Sequence, residues 1–342
     1  MKILICGNMG YVGPLVVSHL RSIWPDSILH GFDSGLFAHC LSGSGPLPER
    51  LLDAQHFGDV RSLASGLLSG FDAVVQLAAV SNDPMGHRFA EATAAINRGS
   101  TSLIARAAAQ AGVRRFVFAS SCSVYGIAEG GPRTEEDAVA PETAYAHSKV
   151  QAEQDLLALE GDMVITALRF ATACGPSPRL RLDLVLNDFV AAALRDRRIV
   201  VLSDGTPWRP LIDVRDMARA VEWALTRDPA QGGAKLIVNT GANSGNYQVR
   251  DIAEAVARLI PGTEVSINSS VPVDSRSYQV DFSRYAALAP NHLPACTLDQ
   301  SIRGLIGCLE DRQGPPEALI RLKVLEEHLG AGRLDQDLRW LS

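Results

Sequence analysis

Tyr145 and Lys149 stand four residues apart in the stretch "YAHSK", so on a helix they share one face. A phenol beside an ammonium group is a proton-transfer pair. The cation favours the tyrosinate, and a tyrosinate can take a proton from an alcohol. A third group of this chemistry lies upstream in "SSCSVYG" (Ser120–Gly126), which closes a predicted strand at Arg115–Ser120. In parallel sheets, ligands bind beyond the carboxyl ends of the strands, where this serine-rich stretch falls. A serine, a tyrosine and a lysine brought together there form a relay that removes a hydroxyl proton while hydride leaves the same carbon.

The hydride needs an acceptor, and the start of the chain is built to hold one. The apolar run Lys2-Ile3-Leu4-Ile5 leads into "CGNMGYVG", with glycines at Gly7, Gly10 and Gly13. A strand, this turn and then an apolar helix form the context of a phosphate-binding turn. The first glycine permits the tight turn, and the second lets the backbone approach a pyrophosphate. The third lets the helix pack closely, with its N–H groups facing the anion. Tyr11 and Val12 belong to the same turn. A second strand, Ile28–Phe32, ends at Asp33, twenty residues after Gly13, where a carboxylate can accept hydrogen bonds from a ribose diol. No lysine or arginine between Ser34 and Pro48 is available to neutralise a 2′-phosphate, so the cofactor is expected to be NAD and not NADP.

Around these groups, strands are predicted at Lys2–Cys6, Ile28–Phe32, Asp72–Ala78, Arg115–Ser120 and Val164–Phe170. Helical patterns fall at about Tyr11–Ser22, Arg61–Leu68, Arg88–Ala111 and Thr143–Leu159. Alternating strands and helices imply an α/β fold, a doubly wound parallel sheet with right-handed crossovers. The long Gly-, Ser- and Pro-rich loop Ser34–Pro48 is placed to lie over a ligand. Residues 1–175 are expected to form the dinucleotide-binding domain, with later elements near 210–240 interleaved. Residues 176–315 form mainly a smaller, mixed α/β substrate portion. Residues 316–342 form a charged helical tail with a short apolar end, packed on the body or on a second subunit.

The chain of 342 residues, 46% hydrophobic, can bury a full core. Its net charge of −6 and the lack of a basic stripe argue against nucleic acid as a partner. The six cysteines, Cys6, Cys40, Cys122, Cys174, Cys296 and Cys308, show neither a disulfide framework nor metal-site spacing, which points to a reducing, cytoplasmic setting. The first apolar run is too short for a signal peptide or membrane span.

Taken together, these motifs resemble the extended short-chain dehydrogenase/reductase family, the NAD-dependent epimerases and dehydratases of nucleotide sugars. The resemblance runs from Met1 to about Gly307. It rests on "GNMGYVG", Asp59-Val60, "LAA" at Leu77–Ala79, "INRGS" around Asn97, "SSCSVYG", "YAHSK", "LRFATACGP" and "WRPLIDVRD". It implies that the three glycines line the pyrophosphate, Asp33 the adenosine ribose and Asp59-Val60 the adenine. Leu77, Ala78 and Ala79 would pass along the cofactor, with Asn97, Ser120, Tyr145 and Lys149 completing the cofactor set. Ser121 matches the catalytic hydroxyl, Tyr145 the base and Lys149 its partner. The substrate, a nucleoside-diphosphate sugar, would be held by Ser81, Asn82, Asp83, Ser121, Ser123 and Tyr145. Asn187, Arg209 and Arg276 fall where relatives hold the diphosphate, with Arg179 and Arg181 as further candidates; a guanidinium fork suits phosphate oxygens. A homodimer joined through the helices near Arg88–Ala111 and Thr143–Leu159 is the family expectation. The chain departs from the family at Cys6, Asn8-Met9 and Asp213, none of which removes a catalytic group.

The readings of the reaction share one step, oxidation of a sugar hydroxyl, at C4, by bound NAD. In 4,6-dehydratases of the family an Asp-Glu pair stands where this chain has Cys122 and Ser123. A 4-epimerase needs only Ser121, Tyr145 and Lys149, and is the reading with the fewest requirements. A dehydratase or a C3/C5 epimerase would need further acid–base groups, for which Cys122, Asp83 and His87 are candidates. An oxidoreductase would instead exchange its nicotinamide with solution. A regulator that senses NAD without turnover would have no use for the intact relay.

Overall fold

In the run Lys2–Cys6, all residues but the first are buried, the mark of a strand covered on both faces. The structure is a computed structural model and describes residues 1–81, 83–127, 130–268, 277–312 and 316–341, without the side chain of Asp83. The strands in chain order are β1 (Lys2–Cys6), β2 (Ile28–Asp33), β3 (Ala54–Phe57), β4 (Ala73–Gln76), β5 (Arg115–Ser121) and β6 (Val164–Phe170). They continue with β7 (Thr172–Cys174), β8 (Arg198–Val201), β9 (Trp208–Asp213), β10 (Lys235–Thr240), β11 (Asn246–Gln248) and β12 (Glu264–Ile267). The helices are α1 (Gly13–Ile23), α2 (Asp83–Arg88), α3 (Ala90–Ala94), α4 (Ser100–Gln110), α5 (Ala144–Leu157) and α6 (Val185–Asp196). After them come α7 (Val214–Thr226), α8 (Val249–Leu259), α9 (Ser283–Leu288), α10 (Leu298–Glu310) and α11 (Arg321–Gly330).

Seven strands form one parallel sheet in the order β10-β6-β5-β4-β1-β2-β3. The alternation of β1 divides the interior in two. Ile3 and Ile5 join Val16 and Leu20 of α1 and Val221 of α7 in one core. Leu4 and Cys6 join Ile104 and Ala108 of α4 and Ala152 and Leu156 of α5 in the other. Helices therefore cover both faces, and the connections from β1 leave to opposite sides, which opens a crevice beyond the carboxyl ends of β1 and β4. This is the Rossmann-type α/β arrangement expected from the sequence. A three-stranded sheet, β11-β9-β7, and the parallel pair β8–β12 form the smaller mixed portion beside it. No helix of the described residues is long and apolar enough to cross a membrane.

Two helical expectations are corrected. The stretch Arg61–Leu68 is not one helix but two 3₁₀ turns, Val60–Ser62 and Ser65–Leu68. Ser62, Ser65 and Gly66 favour turns, and too few strong helix formers stand between them. The stretch Arg88–Ala111 is broken at Phe89 and contains a π-helical turn at Ala95–Gly99 before α4. The tail packs on the body: Leu325 of α11 and Leu338 beyond it are buried in the same core as Leu4, with Leu36 and Phe37 packed against it.

Candidate active site

A cavity of about 410 Å³ opens at the crevice and takes in both the glycine turn and the Ser-Tyr-Lys group. Gly7, Gly10, Tyr11, Val12 and Gly13 line its floor. Gly7 has φ +83°, and a Cβ there would lie 2.5 Å from the Ala78 nitrogen. A Cβ on Gly13 would lie 2.3 Å from the Asn8 carbonyl oxygen. These positions admit only glycine, and the cradle they form is open to a pyrophosphate. Asp33 lies at the end of β2, accepting from Met9 N at 3.0 Å and Gly35 N at 2.8 Å. Burial raises its carboxyl above the usual range, while those two N–H groups pull the other way. Asp59, Val60, Leu77, Ala78 and Ala79 line the same cavity. The residues present fit a dinucleotide.

The relay is assembled at the other end. Thr143 caps α5 by accepting from Ala146 N at 3.2 Å, which places Tyr145 in the first turn and Lys149 one turn on. The Lys149 ammonium lies 5.5 Å from the centroid of the Tyr145 ring and donates to the Ala119 carbonyl at 2.7 Å. Burial pushes its pKa down to about 7, with the carboxylate of Glu153 opposing. Ser121 sits at the tip of β5, its hydroxyl accepting from Ser123 N at 3.2 Å. Ser120, Ser121, Ser123, Tyr145 and Lys149 all line the cavity. Behind them a buried network fixes β5 on α5. Ser120 donates to Glu153 at 2.5 Å, and Arg169 grips Glu153 through two bonds, at 2.9 and 2.7 Å. Arg169 also donates to the Tyr125 hydroxyl at 2.9 Å.

A match to the model of the NAD dependent epimerase/dehydratase family extends over residues 3–241. The chain belongs to that family. It is 30% identical over 272 residues to the UDP-glucose 4-epimerase of Streptomyces lividans, covering 75% of this chain and 80% of the relative. A dTDP-glucose 4,6-dehydratase from an Actinoplanes species is 26% identical over 84% of this chain and 91% of its own. Among solved structures, MoeE5 in complex with UDP-glucose and NAD superposes with a TM-score of 0.74 at 26% identity, covering 91% of this chain and 99% of that one. The family is NAD-dependent, and the fit found here agrees: this is an NAD-dependent enzyme of the epimerase/dehydratase family. When bound, NAD would supply the centre that accepts a hydride.

Four expected site residues are placed elsewhere. Cys122 is fully buried, does not line the cavity and donates to the Arg169 carbonyl at 3.0 Å. Burial pushes its thiol far above the usual range, so it stays protonated, but it is turned away from the cavity and is not placed to act as the acid. Cys122→Ala is expected to leave kcat within about twofold, whereas loss of a general acid costs about 10²–10⁴; steady-state rates at pH 7 decide. Arg179 is also buried and holds Glu49 at 2.6 and 3.1 Å and the Ala38 carbonyl, pinning the loop after β2. The amide of Asn187 is spent on Gly175 N, the Tyr11 hydroxyl and the Arg181 carbonyl. Asn97, in the π turn, clamps both backbone groups of Val80 and donates to Ser148. It positions the segment that carries Ala78, Ala79 and Ser81 and does not line the cavity. Asn82, Arg276 and the side chain of Asp83 lie outside the described residues, and His87 is exposed. Ser81 and Arg209 do line the cavity.

Sequence reasoning missed Asp183, Thr172 and the tail residues Arg321, Leu325 and Leu338, which also line the cavity. Asp183 accepts two bonds from Arg181, both 2.9 Å, and Arg181 donates to Ser81 at 2.7 Å. Burial opposes ionisation of Asp183, but the Arg181 guanidinium outweighs it and holds the carboxyl below its ordinary value. Thr172, two residues beyond Phe170 in "LRFATACGP", was within reach of the motif; Asp183 sits in a loop where spacing carries no signal.

Proposed function

We propose that the protein is a nucleotide-sugar 4-epimerase. Tyr145, helped by the Lys149 cation, takes the proton from the C4 hydroxyl as the hydride leaves, and Ser121 holds the same oxygen. The 4-keto sugar turns over in the cavity, and Tyr145 returns the proton when the opposite face is reduced. Ser81, Ser123 and Arg209 contribute to holding the nucleoside-diphosphate sugar, together with Asn82, Asp83 and Arg276. One observation carries the reading. Among the described residues at the relay end of the cavity, the one carboxylate, Asp183, is kept ionised by Arg181, and Cys122 faces away. No described carboxylic acid or thiol at that end is both protonated and turned into the cavity, where it could expel a sugar hydroxyl as water. The similarity to a UDP-glucose 4-epimerase supports the same reading.

Incubation with UDP- and dTDP-hexoses in D₂O tests it by mass spectrometry. The expected product has the substrate's mass, the inverted hydroxyl and no deuterium on carbon, because the hydrogen that leaves C4 is the one that returns. A product lighter by one water, or deuterium next to the ketone, would instead mean dehydration or inversion at a neighbouring carbon. Stoichiometric NADH in solution would mean a net oxidoreductase.

A further inference from the structure

The cofactor cavity has a wall that lies outside the residues matched by the family model. Arg321, Leu325 and Leu338, all buried, line the same cavity as Gly7, Asp33, Asp59 and Val60. The segment carrying Leu338 is fastened to both lips of the adenosine end. Arg61 donates to the Asp337 carbonyl at 2.7 Å, Arg339 lies 3.4 Å from the Asp59 carboxylate, and the Trp340 indole donates to the Ser34 carbonyl at 2.7 Å. Behind this, the His328 ring packs between His39 and Trp340, with centroids at 5.3 and 5.0 Å. Leu338 itself has φ +60°, one of two described non-glycine residues with positive φ. A leucine is disfavoured in that conformation and persists there only when its surroundings hold it, which is common where a side chain is aimed at a ligand.

We propose that residues 321–340 complete the adenosine half of the NAD site, with Leu338 and Leu325 as its outer apolar wall and the Trp340–Ser34 and Arg61–Asp337 bonds as its fastening. Leu325 and Leu338 line the cavity beside Leu36, Phe37, Asp59 and Val60, and offer the apolar surface that a flat aromatic base prefers. Once NAD is seated, its adenosine leaves only after the fastening opens. The cofactor is then retained from one turnover to the next. The inference rests on the cofactor assignment and not on which reaction follows.

The test loads the full-length protein with isotopically labelled NAD and follows release of the label into excess unlabelled NAD. Leu338→Gly removes the wall while glycine adopts φ +60° freely, so the turn itself is kept. Trp340→Ala removes the fastening at the exposed rim and serves if the first variant does not fold. Both are expected to release label about tenfold or more faster, and Leu338→Gly to bind AMP about tenfold more weakly with nicotinamide mononucleotide unaffected. Release within about twofold of the unaltered protein in both variants, or equal weakening of both mononucleotides, overturns the proposal.

Discussion

Lys149→Met is expected to raise the melting temperature of the cofactor-free protein at pH 7 while removing nearly all turnover. The ammonium is buried beneath the relay, and its pKa falls from 10.5 to about 7. Below about pH 7 the folded protein holds a charge that burial disfavours. Between pH 7 and 10.5 the unfolded chain binds the extra proton, so stability rises with pH across that window. The shift corresponds to an effect on the order of 4–5 kcal/mol, from which the lost bond to Ala119 subtracts about 1 kcal/mol. Methionine keeps the volume and carries no charge. The variant should therefore gain a few degrees at or below pH 7, with the gain fading towards pH 10. Its kcat should fall about 10²–10⁴-fold, because Tyr145 loses the cation that favours its ionised form. Calorimetry at several pH values with parallel rate measurements checks this. A stability–pH slope identical in variant and unaltered protein would show that the lysine is not strained by burial.

Glu153→Ala should be the most destabilising single change near the site. Its carboxylate accepts from Ser120 and from two nitrogens of Arg169, which is itself almost wholly buried. Truncation leaves a buried guanidinium with its main counter-charge gone, a loss of about 3–5 kcal/mol. Replacing both partners, Glu153→Leu with Arg169→Met, should recover much of that loss, since a well-packed apolar pair removes the stranded charge. Urea unfolding of the single and double variants reads the difference. If the double variant is no more stable than Glu153→Ala, the loss stems from packing and not from charge. The two predictions are linked, because Glu153 is also the group that opposes the fall in the Lys149 pKa. Removing it should deepen the lysine's strain.

The frame of the site could be read in the sequence wherever a short-range rule applies. β1 and β6 have the bounds that their apolar runs implied, and β2, β4 and β5 differ only at their ends. The glycine turn, Asp33, Ser121, Tyr145 and Lys149 were legible because each carries its chemistry at a fixed offset within one strand–turn–helix unit. β3 was not, since Ala-Gln-His-Phe has neither alternation nor a β-branched residue and is held by pairing with β2. Cys122, Arg179, Asn187 and Asn97 share another fault. Residue type identifies a group that could act, but burial decides whether it faces the cavity or the core. Cys122 and Ser123 are neighbours on one 3₁₀ turn, and only Ser123 reaches the site. The tail was out of reach because its partners, Ser34 and Arg61, lie near the other end of the chain.

β10 pairs with β6 along its whole length, from Lys235 against Ile165 to Thr240 against Phe170. During synthesis, however, β6 emerges long before β10 does, and residues 171–234 must be made in between. At about 5–20 residues per second the nascent chain carries β6 with one open edge for several seconds. That edge is mostly apolar and carries a row of unpaired backbone groups, the kind of surface that recruits strands from neighbouring chains. A ribosome pause within residues 171–234 would lengthen the exposure, and a faster passage through them would shorten it. The exposure of the β6 edge is thus set by the order in which the strands are translated, and it ends when β10 takes its place beside β6.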